Sequence, residues 1–82
     1  MKYYLVFISL KEPDQMMRFE TYNTKERAEE GRYIYRRILG GRNWTIDRRP
    51  GLDTLGNLGM CVMSERAWTV KQEQIAHEKE GA

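Results

Sequence analysis

Between Tyr3 and Leu10 the chain carries an uncharged run, Tyr-Tyr-Leu-Val-Phe-Ile-Ser-Leu. Aromatic, aliphatic and β-branched side chains in so short a run read as a strand. Strand side chains alternate between faces, so Tyr4, Val6, Ile8 and Leu10 line one side and Tyr3, Leu5, Phe7 and Ser9 the other. Both faces are apolar, which predicts a central strand covered on both sides. Lys11-Glu12-Pro13-Asp14-Gln15 has the chemistry of a type I turn, because proline presets φ at the second turn position. A second strand follows from Met16 to Tyr22. Met17, Phe19 and Thr21 face one way and Met16, Arg18, Glu20 and Tyr22 the other, the pattern of an outer strand with one wetter face.

Asn23-Thr24-Lys25-Glu26 is a helix start, with Asn23 as the cap, Glu26 reaching back to it and Thr24 as a competing cap. The helix is expected to run to Leu39 and to stop at Gly40-Gly41. At 100° per residue, Ala28, Gly31, Tyr35 and Ile38 form a stripe flanked by Ile34 and Leu39, and this stripe is expected to pack on the sheet. Gly31 costs helix propensity of up to about 1 kcal/mol relative to Ala, which close approach to a strand would offset. A third strand is predicted over residues 42–48, with Trp44 and Ile46 inward. Residues 50–59 read as a glycine-punctuated loop with Leu52, Leu55 and Leu58 every third residue, and residues 60–64 as a short strand apolar on both faces. Ser64 is a candidate N-cap for a second helix from 65 to about 78, although Trp68-Thr69-Val70 also suits a strand.

These elements define a single α+β domain over residues 1–82, in the order ββαββ. Its sheet is expected to be antiparallel and four-stranded, in order 2-1-3-4, because the strand after the helix must skip a place to lie beside the central one. The first helix covers one sheet face. The second face needs the C-terminal segment 65–82, whose order the sequence leaves open, a second copy in a homodimer, or a partner.

A domain of this length buries only about 60–65% of the surface its unfolded chain exposes. Forty per cent hydrophobic and 32% charged residues are globular proportions. No apolar run is long enough to cross a membrane, no signal-peptide cleavage site follows Met1-Lys2, and the lone Cys61 cannot form an internal disulfide. A cytoplasmic setting is expected. The net charge of +2 says little, but its distribution says more: six arginines (Arg32, Arg36, Arg37, Arg42, Arg48, Arg49) face one acid, Asp47, between positions 32 and 49.

The residues that carry catalysis are scarce. Nucleophilic chemistry needs a nucleophile, a base and a group to orient the base, yet the chain has one histidine, His77 in a Glu/Lys/Gln-rich segment, and one cysteine between Met60 and Val62. No Cys-x-x-Cys or His-x-x-x-His spacing supplies metal ligands. The glycines at 51, 56 and 59 lack the Lys-Ser/Thr of a phosphate loop. The chain therefore reads as a non-enzymatic protein without cofactor or metal.

Tyr33 stands out, because it lies on the polar side of the first helix, opposite Ala28, Gly31 and Ile38. Arg36 and Arg37, three and four residues on, can stack over its ring, and tyrosine with arginine is the pairing enriched at binding hot spots. The expected partner-binding residues are Tyr33, Arg36, Arg37 and Arg32, with the loop leucines Leu52 and Leu55 second. They point to a larger protein partner, nucleic-acid-handling machinery among the candidates, that the chain modulates or inhibits. The alternative is a nucleic-acid-binding module using Arg36, Arg37, Arg42, Arg48 and Arg49 on phosphates. In size and composition alone the chain resembles small phage-type or mobile-element inhibitors, including anti-CRISPR and other anti-defence proteins.

Overall fold

The uncharged run forms β1 (Tyr3–Ser9), an interior strand of a five-stranded antiparallel sheet in the computed structural model, which describes residues 1–80. In chain order β2 (Met16–Tyr22), α1 (Lys25–Leu39), β3 (Thr45–Ile46), β4 (Asp53–Leu55), β5 (Leu58–Ser64) and α2 (Glu65–Glu80) follow, and the strands lie side by side as β2-β1-β5-β4-β3. The α+β class and the antiparallel sheet agree with the sequence pattern. The strand count and order do not: there are five strands instead of four, and β1's second neighbour is β5, not the strand that follows the helix. Register explains the difference. β5 pairs with β1 over its whole length, from Tyr3 opposite Ser64 to Ser9 opposite Leu58. The expected third strand over 42–48 supplies only Thr45 and Ile46, because Gly41–Asn43 coil into a 3₁₀ turn. It ends at the far edge of the sheet, with Trp44 buried and Ile46 exposed.

Residues 50–59 are not a loop throughout. Asp53–Leu55 and Leu58–Ser64 make a hairpin joined by Gly56-Asn57. Gly56 has φ +59°, and no non-glycine residue among those described has a positive φ, as in a two-residue turn with glycine first. The hairpin between β1 and β2 closes as predicted, by a hydrogen bond from Gln15 N–H to the Glu12 carbonyl at 2.8 Å.

A bulge between the partners of Leu5 and Val6 resets the alternation of β2. Phe19 stacks edge-on between Phe7 and Tyr35, and Glu20 accepts a hydrogen bond from Tyr35, so both side chains lie under α1. Tyr22 lies there too, against Gly31, while Arg18 lies on the opposite face over Tyr4 and Trp68. The expected grouping of Glu20 and Tyr22 with Arg18 is thereby corrected.

The main core sits between α1 and the sheet, around Leu5, Phe7, Trp44 and Met60. Thr24, not Asn23, caps α1: its extended backbone places Oγ1 to accept from Arg27 N–H at 3.1 Å. Ala28 and Gly31 are buried as expected, but Ile38 is 70% exposed and Ile34 51%. The expected stripe is rotated, because the flank of α1 toward β4 is held by Arg32 and Arg36 reaching Asp53, which leaves the isoleucines on the outer flank.

α2 covers the second face over β1 and β5. It follows β5 without a loop: Ser64 Oγ accepts from Ala67 N–H, and Glu65 N–H donates to the Lys2 carbonyl at 2.8 Å. Ile75 is buried and Trp68 meets Tyr4 edge-on at 6.1 Å between centroids. The alternative strand at 68–70 is helix, and α2 extends to Glu80; the rest of the 65–82 segment lies outside the described residues. Among the described residues, no helix is long and apolar enough to cross a membrane.

Candidate docking surface on the first helix

The arginines of the basic segment divide by what they touch. Arg32 donates through Nη1 to Asp53 Oδ2 at 3.0 Å and to the Gly51 carbonyl at 2.9 Å, and pairs through Nη2 with Glu29 at 2.6 Å. Arg36 lies 3.4 Å from Asp53 Oδ1 and donates to the Trp44 carbonyl at 3.3 Å. Asp53 is 2% exposed, so these two guanidinium groups neutralise a carboxylate that burial would otherwise penalise. They hold α1 to the β3–β4 end of the sheet. Leu52 is likewise buried, and Leu55 packs against the core. Of the six residues expected to meet a partner, these four belong to the fold, although Arg36 also reaches the rim of the cleft described next.

Tyr33 and Arg37 are different. Tyr33 is 60% exposed, and the Arg37 guanidinium carbon stands 5.9 Å from its ring centroid. With Arg36, Gly41 and Arg42 they line an open cleft of about 540 Å³ at the C-terminal end of α1. Ile34 and Ile38 continue the same helix surface toward β2. Neither Arg37 nor Arg42 has a carboxylate within ion-pair distance among the described residues. Arg48 and Arg49 lie in the β3–β4 connection and do not line this cleft; Arg49 is held by Asp47 Oδ1 at 3.4 Å. Asp47 in turn is held below the ordinary carboxylate range, first by the backbone N–H of Arg49 and then by its side chain.

Ile34 and Ile38 were hidden in the sequence because their spacing also fits a core stripe. What marks them is that Arg32 and Arg36 sit at equivalent spacing on the other flank, and only one flank can face the sheet.

Elsewhere the chemistry is quiet. Burial raises the half-buried Cys61 thiol to about 11, only partly opposed by Arg32 and Arg49. His77 lies exposed on α2. A larger hollow of about 710 Å³ opens where the two hairpin turns approach, between Met17, Leu55 and Leu58, but it is open and no cationic side chain lines it. Among the described residues, no three His, Cys, Asp or Glu side chains gather as a metal site requires.

An aromatic ring, two unpaired guanidinium groups and two exposed isoleucines on one side of a helix can bury apolar surface while pairing with carboxylate or phosphate oxygens. No known protein family matches the chain, and no curated protein or solved structure matches it.

Proposed function

We propose that the protein is a small non-enzymatic binding protein that docks on a larger protein through the outer surface of α1 and modulates or blocks it. The observation that carries this reading is the exposure of Tyr33, Ile34 and Ile38 side by side with Arg37 on a helix whose opposite side packs on the sheet through Ala28 and Gly31. Exposed apolar residues in a contiguous patch cost solubility and mark contact sites, and tyrosine and arginine supply the anchors.

The test is capture of binding proteins from nuclease-treated lysate by the tagged chain, repeated with Tyr33→Ala/Arg37→Ala. A protein partner that the parent retains, and that the variant binds roughly tenfold more weakly at an unchanged thermal midpoint, supports the reading. Unaltered affinity removes this surface from it.

The second reading is nucleic-acid binding, favoured by Arg37 and Arg42 lining one cleft beside a ring on which a base could stack. It has less support, since Arg36 and Arg49 are drawn toward Asp53 and Asp47. It predicts loss of every partner after nuclease and heparin retention that weakens steeply with salt.

A further inference from the structure

Charge is arranged along the outer side of α1 in a way that matches itself. Glu26 and Glu30 occupy the first half, Arg37 the second, and Arg42 follows in the 3₁₀ turn on the same side, in the cleft with Tyr33 and Arg37. None of these four makes an ion pair among the described residues, whereas Arg32, Arg36 and Arg49 all do. Tyr33 and Ile34 lie between the two signs, with Ile38 at the rim. Acids early and bases late also suit the helix dipole. The dipole does not account for exposed apolar side chains placed between them.

From this geometry we infer that the outer face of α1 binds the same face of a second copy, the two helices antiparallel about a two-fold axis at Ile34. Along the axis Glu30 lies about 6 Å before Ile34 and Arg37 about 4.5 Å after it. A two-fold rotation there brings Glu30 opposite Arg37 of the second copy and Glu26 opposite its Arg42, each pairing occurring twice. The isoleucines and tyrosines of the two copies meet in the middle. A parallel arrangement would set like charges against each other. The contact is isologous, so it closes at two copies. The dimer needs only the chain itself; because it uses the face assigned above to a larger protein, the two are alternative occupants of that face, and the purified chain alone tests the dimer.

The experiment is sedimentation equilibrium from about 10 µM to about 1 mM on the purified chain, without any target. The parent chain is expected to approach the mass of a dimer as concentration rises. Arg37→Glu, which sets acid against acid across the two-fold, and Glu30→Arg, which sets base against base, are each expected to weaken association by roughly tenfold or more. The double reversal Glu30→Arg/Arg37→Glu should recover it to within about threefold. Mixing the two single variants should give a one-to-one heterodimer, since one face is then acidic and the other basic. A parent chain that stays monomeric throughout overturns the inference and leaves the face to a partner of other chemistry. Single variants that associate like the parent, or a double reversal no better than the singles, overturn it too. Circular dichroism on every variant confirms that α1 remains folded, so a loss of mass is read as a loss of contact.

Discussion

Gly31 of α1 and Tyr22 of β2 occupy space that leaves no room for a Cβ: an added methyl at Gly31 would lie 2.5 Å from Tyr22 Cζ. The outer end of the Tyr22 ring fills the space that a side chain at residue 31 would take. Gly31→Ala is therefore expected to destabilise the fold by about 1–3 kcal/mol through forced displacement of the tyrosine ring, despite the gain of up to about 1 kcal/mol in helix propensity. In a Tyr22→Leu background, which ends short of the clash, the same substitution should be neutral or stabilising. Urea unfolding of the four proteins of this cycle measures the reversal of sign.

Asp53 is buried between Arg32 and Arg36, and removing either side of that arrangement leaves charge without its partner. Asp53→Ala and Arg32→Ala are each expected to cost about 3 kcal/mol. Arg37→Ala, on the exposed side of the same helix, should stay within about 0.5 kcal/mol of the parent chain. Equal urea midpoints for Arg32→Ala and Arg37→Ala would contradict the division of the arginines into structural and surface groups.

Arg18 lies with its guanidinium carbon 4.8 Å from the Tyr4 ring centroid and 5.4 Å from that of Trp68. It thereby ties α2 to β1 and β2. Arg18→Ala should cost about 1 kcal/mol and loosen α2 first. The measurement is tryptophan fluorescence: Trp68 should shift to longer wavelength at denaturant concentrations where Trp44, 2% exposed, remains shielded. Substituting each tryptophan by Phe in turn separates the two signals.

Burial raises the Cys61 thiol from an ordinary value near 9 to about 11. Between those values the unfolded chain releases the proton while the folded chain keeps it. Stability present below pH 9 is therefore lost as the pH climbs toward 11, by up to about 3 kcal/mol. Tyr22 and Tyr35, both raised first by burial and then by Glu20, add to the loss at the upper end. Cys61→Ala should show a shallower alkaline fall in urea midpoint than the parent; parallel falls would mean the thiol is not shielded in the folded chain.

What was legible in the chain was what depends on neighbours in sequence. The uncharged run of β1, the span of α1 to Leu39, the Ser64 cap and the outward Tyr33 all follow from local pattern. Strand order was not, because pairing is decided by how much of a distant register can be satisfied, and the long register of β5 outcompetes the two residues of β3. The phase of β2 failed at one inserted residue, since a bulge leaves no mark in the spacing of Arg18, Phe19 and Glu20. Asp53 sits among glycines and leucines in what reads as a loop, and nothing local says that it is buried. The excess of arginine upstream was the trace of it: two of those arginines turn toward this one acid, and what remains for a surface is Arg37 and Arg42.

The pairing of β1 with β5 also sets when the protein can form. β1 is completed by a strand made far later in the chain, from Leu58 to Ser64. Until Ser64 has left the ribosome, β1 has only β2 beside it, and one flank of an apolar strand stays open. Folding with such distant contacts is slow and exposed to misassociation. Expression at lower temperature, or with more chaperone, is the condition under which this chain should accumulate in soluble form.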